Sequence, residues 1–211
     1  MDIILASASP RRKQLLEQAG VEFRVVASDA DESLDDDLLA DPHEAAKELA
    51  QRKAASVVQH VLAAKPENAQ IVVIGADTMV VLDGRIFGKP HSASEGKGML
   101  RKLSGRTHQV ITGVSVWMVV ADETGSVNVG RKTFEETSFV TFKDLDDDTI
   151  MEYLRKGESY DKAGAYAIQG EGASLVERTE GDYDNIVGLP VGRLLEFFPD
   201  LVASAQDAPC K

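Results

Sequence analysis

Four short segments of this chain put hydroxyls, carboxylates, cations and glycines next to apolar runs. The first is SASPRR, residues 7–12, directly after the apolar run Ile3–Ala6. Ser7, Ser9, the backbone amides of a helix start and the guanidiniums of Arg11 and Arg12 would make an anion cradle. The same residues also read as an ordinary cap, with Ser9 before Pro10 and two solvated arginines. The second is GADT, residues 75–78, after Ile71–Ile74. A carboxylate at the carboxyl end of a buried strand stands where α/β folds place ligands, so Asp77 is a candidate metal ligand or water-activating base. A turn-capping aspartate is the plain alternative.

The third is GKP, residues 88–90, followed by LSGRTHQV, residues 103–110. Lys89, fixed between a glycine and a proline, is a cation suited to a phosphate. Lys53 is another candidate, which on a helix also reads as a solvated side chain. His108 at a strand start reads as a partnered structural histidine. The fourth is YDKAGAYAIQGEG, residues 160–172. Asp161 and Lys162 are opposite charges there, and Gln169 has a carboxamide able to donate to and accept from a base edge. An exposed glutamine in a β-turn is the alternative. Gly164, Gly170 and Gly172 do not have dinucleotide-fingerprint spacing.

Other chemistries lack their residues. One cysteine and four scattered histidines (His43, His60, His91, His108) give no zinc pattern. There is no phosphate-loop motif, nucleophile elbow or plausible cysteine nucleophile. Carboxylates, cations and hydroxyls suit metal-assisted phosphate chemistry better than covalent catalysis.

These segments need elements to position them. Asp2–Ala6 and Phe23–Ala27 read as short strands, with a helix opening at Pro10 and stopping at Gly20 between them. Residues 28–41 carry seven acids and no base, and most of that run reads as a solvated loop. Pro42 starts a helix through about Ala63, with apolar residues at helical spacing. Ile71–Gly75 and Met79–Leu82 read as two strands on either side of the GADT segment, with a turn at Asp83 and Gly84. Ser92–Leu103 reads as a helix. Val110–Val120 and Thr133–Phe142 read as a hairpin, Asp146–Arg155 as a helix, Ala165–Ile168 and Leu175–Glu177 as strands and Val191–Phe198 as a final helix. The pattern predicts an α/β or mixed α+β domain over residues 1–198, a central mixed twisted sheet flanked by helices, with a flexible tail over 199–211.

Composition narrows the partners. The 211 residues are 43% hydrophobic and 27% charged, ordinary for one globular domain. The formal charge of −12 argues against binding a nucleic acid polymer, while leaving room for one small nucleotide in a local basic pocket. No segment is apolar enough to span a membrane and the N-terminus does not read as a signal peptide. A lone Cys210 fits a reducing, cytoplasmic setting.

Taken in order, SASPRR, Asp31-Glu32, GADT, GKP, LSGRTHQVITGV, YDKAGAYAIQG and NIVGLP resemble the Maf family of nucleotide pyrophosphatases, from Ile3 to about Phe198. The resemblance implies a Maf/ITPase-like fold with a nucleotide cleft at strand ends. It also implies a house-cleaning hydrolase that uses a divalent cation, Mg2+ or Mn2+, to convert nucleoside triphosphates to a monophosphate and diphosphate. Arg11, Thr78 and Gln169 match the dTTP/UTP branch rather than the 7-methyl-GTP branch. By the same resemblance, Asp77 is the proton acceptor and Arg11, Thr78 and Gln169 select the base. Ser7, Arg12, Lys53 and Lys89 hold the triphosphate, and Glu32 with Asp77 holds the metal. QRKA around Lys53 departs from the family, where an acid often precedes the lysine. The resemblance also leaves open a homodimer and a nucleotide-binding role in septum formation with little turnover.

Overall fold

The computed structural model describes residues 1–202. In chain order the elements are β1 (Asp2–Leu5), α1 (Pro10–Gln18), β2 (Arg24–Val25), α2 (Asp36–Ala40), α3 (Pro42–Ala63), β3 (Ala69–Leu82) and β4 (Arg85–Phe87). They continue with α4 (Ala93–Leu103), β5 (Thr107–Ala121), β6 (Val127–Phe142), α5 (Asp147–Arg155), β7 (Val176–Glu180), α6 (Tyr183–Val187) and α7 (Val191–Phe197). The strands form one mixed sheet in the order β2-β1-β3-β5-β6-β7, with β4 also on β3. β1 runs parallel to β2 and β3, and the remaining pairs are antiparallel. This is the mixed sheet flanked by helices that the sequence pattern predicts.

Side-chain alternation along β3 divides its neighbours between two cores. Val72, Ile74, Ala76, Val80 and Leu82 enter the large core with Leu15 and Leu16 of α1, Leu100 of α4 and Leu154 of α5. On the other face, Ile71 and Val73 meet Ala54, Val57 and Val58 of α3, and Met79 and Val81 meet Ala45, Ala46 and Leu49. α3 lies very close to the sheet because two glycines sit beneath it. A Cβ on Gly75 would stand 2.4 Å from the Ala50 carbonyl oxygen, and one on Gly113 would stand 2.2 Å from that of Ala46. Small residues on the helix at 46, 50 and 54 complete the contact.

Several expectations need correction. β3 is one continuous strand rather than two separated by a GADT loop. Its ladder to β5 runs unbroken through Asp77↔Gly113 and Thr78↔Thr112, so the polar pair keeps strand geometry. β1 ends at Leu5 beside Ile74, and the polar residues of β3 begin where that cover stops. Most of the acidic run is loop, as expected, and within it Asp35 caps the short helix α2, its side chain accepting from the Leu38 amide at 2.9 Å. Ala165–Ile168 is not a strand. Gly164 and Ala165 have φ of +68° and +61°, and the chain turns there before Tyr166 and Ile168 enter the core. Helix α6 has no counterpart in the sequence reading. At the C-terminus, Pro199–Leu201 adds a 3-10 turn whose Leu201 is buried, so the packed body reaches beyond Phe198. Residues 203–211 of the expected tail, Cys210 included, lie outside the described residues.

Candidate active site

A cleft of about 410 Å3 opens where β1 ends and β3 continues. Its polar wall gathers Ser7 and Ser9 from the β1–α1 connection, Arg11 and Arg12 from the first turn of α1, and Glu32 from the acidic loop. Lys53 of α3, Asp77 and Thr78 of β3, and Lys89 after β4 complete that wall. Ser9 serves chiefly as the cap of α1, accepting from the Arg12 amide at 3.5 Å, so the ordinary alternative holds for its side chain. Val80, Val110, Tyr166, Ile168, Ile186 and Val187 form an apolar wall, and Asp161 and Lys162 from the glycine-rich segment also face the cleft.

Asp77 and Thr78 are adjacent on β3, so alternation points them to opposite faces. Asp77 faces α3, where Lys53 Nζ donates to its Oδ1 at 2.5 Å. The same ammonium stands 2.7 Å from Glu32 Oε1. Lys53 and Asp77 are mostly sheltered, with side-chain exposures of 13% and 14%, whereas Glu32 is 53% exposed. The close seat of α3 on Gly75 and Gly113 is what allows one helix lysine to reach a mid-strand carboxylate.

Thr78 faces the other way, toward α1 and α6. Arg12 Nη2 donates to Thr78 Oγ1 at 2.9 Å, Arg12 Nε to the Gly188 carbonyl at 2.8 Å and Arg12 Nη1 to Ser7 Oγ at 3.3 Å. Gly188 follows α6 with φ +136°, a backbone open to glycine alone among common choices. Neither Arg12 nor Thr78 is thus a loose surface group.

The charges in the cleft feel both burial and one another. Desolvation holds the Arg12 guanidinium below its ordinary pKa, against the opposing pull of Asp77 and Glu32. Arg11 is lowered by burial as well, countered by Asp161, Tyr153 and Glu158. Both stay charged, as an arginine guanidinium does not deprotonate in proteins. Burial pushes the Glu32 carboxyl up, but the hydrogen bond from Lys53 and the charges of Lys53, Lys89 and Arg12 outweigh it and leave the group more acidic than usual. Two weakly hydrated guanidiniums and two lysines around a sheltered carboxylate form a site suited to a polyanion.

Gln169 stands apart from the other expected residues. It is half-buried next to Ile168, but it is not part of the cleft lining. His108 is the partnered structural histidine that its position suggests: Nε2 lies 2.7 Å from Tyr166 Oη, and Phe142 packs edge-on at 5.1 Å. Burial drives its pKa down from 6.5 to about 4. Sequence reasoning gave no role to Thr112, Asn185 or Gly188, which brace Thr78 and Arg12. The glycine in the NIVGLP string and the polar residues among apolar strand neighbours are the only signals that would have pointed to them.

Among the described residues no helix is long and apolar enough to cross a membrane. A family model described as Maf-like protein matches residues 2–201. A curated protein of Clostridioides difficile named dTTP/UTP pyrophosphatase is 47% identical over 195 residues, 92% of each chain. Proteins of the same name from Bacillus velezensis and Acetivibrio thermocellus are each 45% identical, over 92% and 96% of this chain and 93% and 96% of theirs. The solved Ham1 protein of Staphylococcus aureus is a loose structural match, with 14% identity, coverage of 95% of this chain and 99% of that one, and a TM-score of 0.41. With its motifs gathered around one cleft and its whole folded length matched, this chain belongs to the Maf-like protein family.

Proposed function

We propose that this protein is a nucleoside triphosphate pyrophosphatase that hydrolyses dTTP, UTP and modified uridine triphosphates to the monophosphate and diphosphate, in the cytoplasm. The observation that carries this reading is the Lys53 ammonium seated between Asp77 and Glu32, in a cleft also lined by Arg11, Arg12 and Lys89. The names of the curated relatives support the substrate class.

In this mechanism Asp77 takes a proton from a water as the water oxygen attacks the α-phosphorus. The Pα–O bond to the β-phosphate breaks, its electron pair stays on the leaving diphosphate, and the proton resides on Asp77. Lys53 holds Asp77 in place by its hydrogen bond to Oδ1 and offsets its charge. Arg12 and Lys89 grip the phosphate oxygens, so the developing negative charge meets cations already oriented by the protein. The apolar wall from Val80 to Val187 takes the base, with Arg11 at its edge.

A divalent cation fits this donor set. Asp77 and Glu32 flank the same ammonium, and a Mg2+ or Mn2+ site commonly draws only one or two carboxylates from protein, here from the carboxylate oxygens that Lys53 leaves free, and the rest from phosphates and water. No larger group of metal-ligating side chains exists among the described residues. Asp77 and Glu32 would hold the ion, which when bound supplies neutralisation of the triphosphate charge.

The test is a nucleotide panel with and without Mg2+ or Mn2+. Phosphate is read before and after adding an inorganic pyrophosphatase. Signal from dTTP and UTP only after that addition is expected. Orthophosphate without it, or no product from any nucleotide, overturns the reading. Gln169→Glu tests the base preference: an unchanged ratio of UTP to 7-methyl-GTP use removes Gln169 from base recognition.

A further inference from the structure

Thr78 sits in a chain of hydroxyls whose proton directions are fixed by their neighbours. Arg12 Nη2 has only protons to give, so Thr78 Oγ1 accepts from it at 2.9 Å. At the far end, Thr112 Oγ1 lies 3.0 Å from the backbone carbonyl of Asn185, which only accepts, so Thr112 donates there. The single proton of Thr112 is then committed. The 3.0 Å contact between the two threonines therefore runs from Thr78 to Thr112, with the Gly188 carbonyl, at 3.4 Å, the more distant acceptor for the same proton. The order is Arg12 to Thr78 to Thr112 to the Asn185 carbonyl, and each hydroxyl both accepts and donates.

Helix α6 carries that terminal acceptor and is itself tied down. The Asn185 side chain is fully buried, and its Nδ2 donates to the Val110 carbonyl at 3.0 Å and to Ser138 Oγ at 2.9 Å. Ser138 in turn donates to the Asp182 carbonyl at 2.8 Å. Gly188, just past the helix, accepts directly from Arg12 Nε. α6 thus anchors the guanidinium at two points, one direct and one relayed through two strand threonines.

Resting on the pyrophosphatase reading, we propose that Thr112 is a positioning residue: it takes the Thr78 proton and so keeps a Thr78 lone pair on Arg12, holding the arginine fork set for a polyphosphate. Thr78 then acts mainly through Arg12, with its proton unavailable to a base. Thr112 is fully buried and does not line the cleft, so it touches no substrate.

Thr112→Val keeps shape and strand preference but deletes the hydroxyl. The expected result is a rise of about tenfold in the dTTP KM, the scale of one misdirected charge-assisted hydrogen bond, with kcat within about twofold of wild type. Thr112→Ser is expected to restore the wild-type KM. Calorimetric titration of inorganic diphosphate should show the same weakening in Thr112→Val and the same rescue. Wild-type KM and diphosphate affinity in Thr112→Val overturn the proposal. So does a loss that Thr112→Ser fails to restore, which would assign Thr112 to packing. If Thr112→Val is insoluble, Thr112→Ala replaces it under the same criteria. An inactive wild type would sink the pyrophosphatase reading, whereas the diphosphate titration still decides the role of Thr112.

Discussion

Replacing Gly75 by alanine tests whether the seat of α3 on the sheet sets the catalytic geometry. The added Cβ would lie 2.4 Å from the Ala50 oxygen, 2.7 Å from the Ala54 nitrogen and 2.9 Å from the Ala54 Cβ. Two of these are helix backbone atoms, which cannot rotate aside. A carbon–oxygen contact relaxes at about 3.3 Å, so α3 must withdraw by roughly 3.3 − 2.4, or about 0.9 Å. Lys53 lies in the same helical turn, and its 2.5 Å contact to Asp77 would open past hydrogen-bonding distance if the ammonium moved with the helix. Overpacking of this kind costs about 1–3 kcal/mol, and an error of about 1 Å in a catalytic group costs about a hundredfold in rate. Urea melts followed through Trp117, the only tryptophan, and coupled diphosphate release measure the two losses. Gly113→Ala, with its Cβ 2.2 Å from the Ala46 oxygen, should behave alike. Gly98→Ala in α4 is the control: its Cβ meets nothing within 4 Å, and it should gain about 0.5–1 kcal/mol of stability with full activity. A Gly75→Ala protein that melts and turns over like wild type would show that the close approach is irrelevant to the site.

Two further outcomes are expected. Asp77→Asn keeps the shape of the side chain but removes the base, and should lower turnover by about 10²–10⁴ with an unchanged melt; retained diphosphate release from dTTP would reject the role of Asp77. His108 titrates at about 4 when folded against 6.5 unfolded, so the unfolded chain binds its proton first as pH falls. Its contribution is complete above 6.5 and declines toward about 4, a span worth about 3 kcal/mol. Comparing the pH dependence of urea melts for wild type and His108→Phe isolates it, and equal slopes between pH 6.5 and 4 would refute the assignment.

Much of the site was legible because its chemistry is local. Ser9 before Pro10, the Asp83–Gly84 turn and the apolar period of α3 each follow from short-range propensity, and the structure bears them out. The polar strings marked Asp77, Arg12 and Lys89 before any contact was known, whereas Lys53, outside those strings, was given its role only by the family resemblance. Local rules failed where a long-range partner overruled them. Asp77 and Thr78 look like a break in a strand, yet a full ladder to β5 carries the strand through them. Ile168 and its neighbours look like a strand, but two successive residues with positive φ turn the chain away. Sequence alone thus marked most of the polar side chains that line the cleft, though it also named Gln169, which does not line it. The tertiary structure decided how they are held: two glycines let α3 bring Lys53 onto Asp77, and a helix far along the chain orients Arg12 through threonines on two adjacent strands. Those arrangements depend on backbone approach and on donor–acceptor direction between residues 24 to 176 positions apart, which no local pattern encodes.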